Sequence, residues 1–99
     1  MTTDLKPYTK ASIGDVVLSV AGRDKGRVFA VMEVLKSEYV LISDGKSRKS
    51  DNMKLKKILH LRQIGKISKF ATDNELSESL KAFKDDFSII KARHYKPKG

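Results

Sequence analysis

VLSVAGRDKGRVFAV, from Val17 to Val31, is the stretch on which the reading of this chain turns. Two apolar, β-branched runs flank the hexapeptide Ala21-Gly22-Arg23-Asp24-Lys25-Gly26. Runs of this kind bounded by glycine and charge read as two strands joined by a tight turn. Gly22 and Gly26 let the backbone take a positive φ and let another group approach closely. Arg23, Lys25 and Arg27 make the tip basic, and exposed N–H groups in such a loop can receive phosphate oxygens. The plainer alternative is that both glycines serve the turn alone, as in any hairpin.

Outward from this hairpin the strands are predicted at Asp15–Val20, Arg27–Leu35 and Tyr39–Ser43, the last stopped by Asp44-Gly45. Along the second strand Val28, Ala30, Met32 and Val34 share one face, and Arg27, Phe29, Val31 and Glu33 the other. Either both sides are partly covered or a bulge exchanges the faces midway. Lys46–Lys54 is a polar, basic loop. Leu55–Phe70 mixes helical and strand spacings and is read as one or two short strands, with Gln63-Ile64-Gly65-Lys66 as a hairpin. Thr72 and Glu75 form a capping box, and Leu76, Leu80 and Phe83 give one apolar face of a helix from Asp73 to about Lys84. These signals divide the chain into a lead-in (1–11), a barrel (12–70), and a helix with a basic tail (71–99). Several short strands with tight turns in about 60 residues imply a small β-barrel, so the fold class is mainly β with one C-terminal helix.

A chain of 99 residues with 33% charged side chains holds one compact core. Lys and Arg number 21 against 12 acids, a net charge of +9 that points to a polyanion: nucleic acid first, an anionic membrane surface second. The charge is uneven. Residues 46–69 carry nine Lys or Arg and one acid, whereas 73–86 carry five acids and two lysines. A merely solvated surface mixes its signs, so this pattern reads as one binding face beside one non-binding face. With no cysteine there is no disulfide, thiolate metal site or cysteine nucleophile. The two histidines, His60 and His94, do not suggest a metal site. No nucleophile elbow or P-loop is present, and Asp85-Asp86 point apart on a helix, so no enzyme is expected. Without a leader-like apolar segment or a spanning stretch, a cytoplasmic protein is expected, with no cofactor, no small-molecule substrate and no membrane partner. Tyr39 is read as strand packing and Tyr95 as a tail residue without a role, with stacking on an unpaired base as the alternative for each.

Three pieces of the sequence together resemble a family. The runs VLSVAGRDKGR, YVLISDG and KSRKSDNMKLKKILHL, with Gly14-Asp15-Val16-Val17 before them, are similar to the KOW proteins of the eukaryotic and archaeal large ribosomal subunit. The resemblance spans roughly residues 12–62 and implies an SH3-like (KOW) barrel that binds RNA, usually ribosomal. On that basis Gly22 and Gly26 form the motif loop, Arg23 and Lys25 its tip with Arg27 beside it. Lys46, Arg48, Lys49, Lys54, Lys56 and Lys57 belong to the basic second half. Phe29 stands where many such motifs carry a further glycine, and the helix from Asp73 lies outside the pattern. A protein-interaction adaptor and a transcription-associated KOW module are the other functions such a barrel serves.

Overall fold

The computed structural model describes residues 7–36 and 38–94, with side chains as far as Asp85. Five antiparallel strands form one sheet: β1 (Asp15–Ser19), β2 (Val28–Leu35), β3 (Tyr39–Ser43), β4 (Lys54–Lys57) and β5 (Leu61–Lys66). Their order is β4-β3-β2-β1-β5. A single 3-10 turn, Ile58–His60, links β4 to β5, and the helix α1 (Asp73–His94) follows. Together these elements make a small, barrel-like β fold with a C-terminal helix.

The sheet is strongly curved because β2 serves both halves. Its first four residues are buried on both sides, and the register slips between Val31 and Glu33. Both of the options left open by the alternation therefore occur. Phe29 and Val31 enter the barrel interior with Val17, Val40, Ile42, Ile58 and Leu61. Val28 and Ala30 face outward, where Leu76 and Leu80 of α1 cover them with Val16. A bulge lets a strand bend without losing its pairing on either side.

α1 begins as its capping residues direct. The Glu75 N–H donates to Thr72 Oγ1 at 3.1 Å, and the Ala71 N–H donates back to Glu75 Oε1 at 3.1 Å. Leu76, Leu80 and Phe83 form its packing face, against a rim of Leu18, Met32, Ile64, Ile67 and Phe70. The helix runs ten residues beyond the expected end, because neither glycine nor proline interrupts the chain between Lys84 and His94. Part of the basic tail is thus helical, and Tyr95 lies outside the described residues.

Leu55–Phe70 holds short strands as expected, the end of β4 and all of β5, but the hairpin read within it is absent. Gln63-Ile64-Gly65-Lys66 is no hairpin but the last four residues of β5, which pairs with β1 along its length. The register shift leaves Ile64 as the extra residue between Gln63 and Gly65. Gly65 marks a close approach rather than a turn: a Cβ there would collide with the Phe83 ring. β1 and β2 are also each one residue shorter than the predicted bounds, since Val20 and Arg27 belong to the turn.

Tyr8, in the lead-in, is buried in the barrel core. Its hydroxyl donates to the buried Asp15, which also accepts from the Ser12 N–H at 2.9 Å and Lys66 Nζ at 2.9 Å. Burial, together with the hydrogen bond and the charge of Asp15, pushes the Tyr8 phenol well above its usual range.

Candidate nucleic-acid interface

The hairpin tip is a rigid, self-bonded turn. Gly22 and Gly26 hold φ of 79° and 89°, a region that favours glycine. Lys25 N–H donates to the Gly22 carbonyl at 3.1 Å, Gly26 N–H to Ser19 at 2.8 Å, and Arg27 N–H to Asp24 at 2.9 Å. The N–H of Gly26 is therefore spent inside the turn and is not offered to a ligand. Arg23 and Lys25 stand exposed at the tip.

Asp24, between them, points inward and is 8% exposed. Its Oδ2 lies 2.7 Å from Lys54 Nζ and 3.6 Å from Lys56 Nζ. The approach at Oδ2 lies off the hydrogen-bond direction, so charge holds the pair together. Lys56 Nζ also reaches the Ala21 carbonyl at 3.4 Å. The Lys54 ammonium, helped by the charges of Lys56 and Arg27, keeps the Asp24 carboxyl below its ordinary value against the opposing effect of burial. The tip is thereby fastened onto β4. Lys54 and Lys56 serve that fastening, and β4 carries its lysines on both faces as a result.

A second buried carboxylate, Asp44, organises the loop after β3. It accepts the Lys46 N–H at 2.9 Å, the Arg48 N–H at 2.8 Å and the Ser47 hydroxyl at 3.0 Å. Arg27 approaches it at 3.6 Å and Lys84 of α1 at 3.8 Å. Arg27 also donates to the Ser47 hydroxyl and lies over the Phe29 ring, 5.6 Å from its centre. Burial alone would raise the Asp44 carboxyl, but the N–H groups of Arg48 and Lys46, with Ser47 and Lys84, outweigh it and hold the carboxyl low. Arg48 is half-buried, and its guanidinium turns to the Asn52 carbonyl at 3.4 Å. Lys46 and Lys49 are exposed.

The expected basic site residues thus fall into three groups. Arg23, Lys25, Lys46 and Lys49 are exposed cations on elements drawn together by Asp24 and Asp44. Arg27, Arg48, Lys54 and Lys56 form the internal bonds that draw them together. Lys57 stands apart on the outer face of β4, over Tyr39. Sequence reasoning missed the two aspartates as organisers. Asp44 carried a signal, since an aspartate before Gly-x-x commonly bonds the N–H groups that follow it. The Asp24 contact joins positions thirty residues apart and left none.

Among the described residues no cluster of three His, Asp or Glu side chains could hold a metal ion, and no helix is long and apolar enough to cross a membrane. No protein-family model matches the chain, and no curated protein matches its sequence.

Proposed function

We propose that this protein binds structured RNA through the cationic face made by the hairpin tip and the loop after β3. One observation carries the reading: Asp24 and Asp44 are buried and already paired with cations, while Arg23, Lys25, Lys46 and Lys49 remain exposed and outnumber Asp51, the exposed acid of the loop after β3. A surface whose exposed charges are mainly cations suits a phosphate backbone. The turn is held by its own hydrogen bonds, so little ordering remains to be done on binding. The resemblance of residues 12–62 to KOW ribosomal proteins supports ribosomal RNA of the large subunit as the target, with the protein resident on the ribosome or associated with it.

Titration of the protein against ribosomal RNA at several salt concentrations tests this. Log affinity is expected to fall linearly with log salt. Changing Arg23, Lys25 and Lys49 together to Gln is expected to weaken binding on all sequences and to flatten that slope by about one for each phosphate no longer neutralised. Unchanged affinity and slope in the triple variant would sink the assignment of this face. Sedimentation with the large subunit, retained at moderate salt after nuclease-controlled lysis, is expected for the ribosomal reading.

A further inference from the structure

β4 separates two different surfaces. Lys54 and Lys56 turn toward Asp24 beneath the hairpin, and Leu55 and Lys57 turn to the outer side of the sheet. On that outer side the register sets Tyr39 opposite Lys57 and Leu41 opposite Leu55. Val40 and Ile42, the alternate residues of β3, are fully buried in the barrel. Tyr39 is left 37% exposed, with Lys57 Nζ 5.8 Å from its ring centre. Leu55 and Leu59 beside it are 53% and 65% exposed. Among the described residues Lys57 has no carboxylate within ion-pair distance.

We infer that this outer face is a stacking platform for an unpaired nucleotide of the bound RNA, with Tyr39 as the aromatic surface and Lys57 as the partner of the adjoining phosphate. The inference rests on the RNA-binding reading. An exposed aromatic ring beside a cation is what single-stranded nucleic acid uses, since every base has a π-face and every nucleotide a phosphate. Charge selects RNA over a protein occupant: Lys57 is a cation beside the ring, and the same strand, β4, holds the hairpin tip whose Arg23 and Lys25 are exposed. A chain whose phosphates follow the hairpin face reaches Tyr39 by crossing β4, which is an edge strand. A groove of about 440 Å³ adjoins the platform, lined by Tyr8, Thr9, Glu38, Lys57, Ile58 and Leu59. Glu38 repels phosphate there and can accept from the amino group of a base. The groove therefore takes a base edge, and an amino-bearing base suits it.

The test compares fluorescein-labelled oligoadenylate with a blunt RNA duplex, each titrated against the wild type and the Tyr39→Ala, Tyr39→Phe and Lys57→Gln variants. Tyr39→Ala is expected to lose about tenfold on oligoadenylate with an unchanged salt slope, because stacking releases no counterions, and to bind the duplex as before. Tyr39→Phe keeps the π-face and is expected to stay within about twofold of the wild type. Lys57→Gln is expected to weaken oligoadenylate binding and to flatten its salt slope by just under one. Wild-type binding to the duplex alone, or full oligoadenylate affinity in Tyr39→Ala, overturns the platform while leaving RNA binding intact, and would give this face to a protein partner. Failure of the wild type to bind either RNA overturns the RNA-binding reading and the platform with it.

Discussion

The two halves of the sheet's outer surface have opposite fates. Over β1, β2 and β5, small and branched residues (Val16, Val28, Ala30, Ile64) lie under α1, with Leu76 and Leu80 almost wholly buried. Over β3 and β4, Tyr39 and Leu55 remain open beside Lys57. The difference lies in the fit of the backbone. Where the helix lies, Gly65 and Gly45 remove the Cβ atoms that would obstruct it: one at Gly45 would run into the Asp73 carbonyl. The bare half has no glycine among its strand residues and carries Lys57 where a covering helix would need an apolar contact. The helix thus covers one half of the outer surface and leaves the other half open.

The comparison can be broken most strongly from the covered side. Leu80→Ala should cost about 2–5 kcal/mol, the range for emptying a buried leucine site, measured by denaturant unfolding. Leu55→Ala on the bare half should stay within about 0.5 kcal/mol. Equal losses would mean that the two surfaces do not differ in the way described. Gly65→Ala comes next, at about 1–3 kcal/mol from forcing a methyl group against Phe83. Adding Phe83→Ala should return part of that loss, a non-additivity that a double-mutant cycle reads directly.

The smallest effect is a change of slope with pH. Asp24 and Asp44 are both held below their ordinary carboxyl values in the folded chain. The stability they contribute is therefore complete above the ordinary carboxylate range and is lost as pH falls through their lower folded values, below about pH 4. Asp44→Asn removes one titrating group, so its stability should fall less steeply over that window than the wild type's. An identical acid slope would show that Asp44 does not titrate as described.

Legibility followed the range of the forces involved. β3 matches its predicted bounds because its apolar run and the Asp44-Gly45 stop are local. The start of α1 and its packing face were legible for the same reason, since Thr72, Glu75 and Leu76 lie within about one turn. β4 was not legible: two of its four residues, Lys54 and Lys56, turn toward a carboxylate far back in the chain, which erases the alternation that identifies a strand. Gly65 misled because a glycine under an aromatic ring and a glycine in a turn are the same letter. In the candidate site the cations themselves were legible from composition. Their division into exposed and internally bonded groups was not, because it depends on where Asp24 and Asp44 sit.

The burial of Tyr8 bears on where this barrel can be cut. Its ring belongs to the same interior as Phe29 and Leu61, and its hydroxyl is bound to Asp15. A shortened chain starting at Ser12 would retain every strand yet carry a hole in its interior and an aspartate stripped of one donor. The smallest autonomous folding unit therefore begins no later than Tyr8, although the first strand starts only at Asp15.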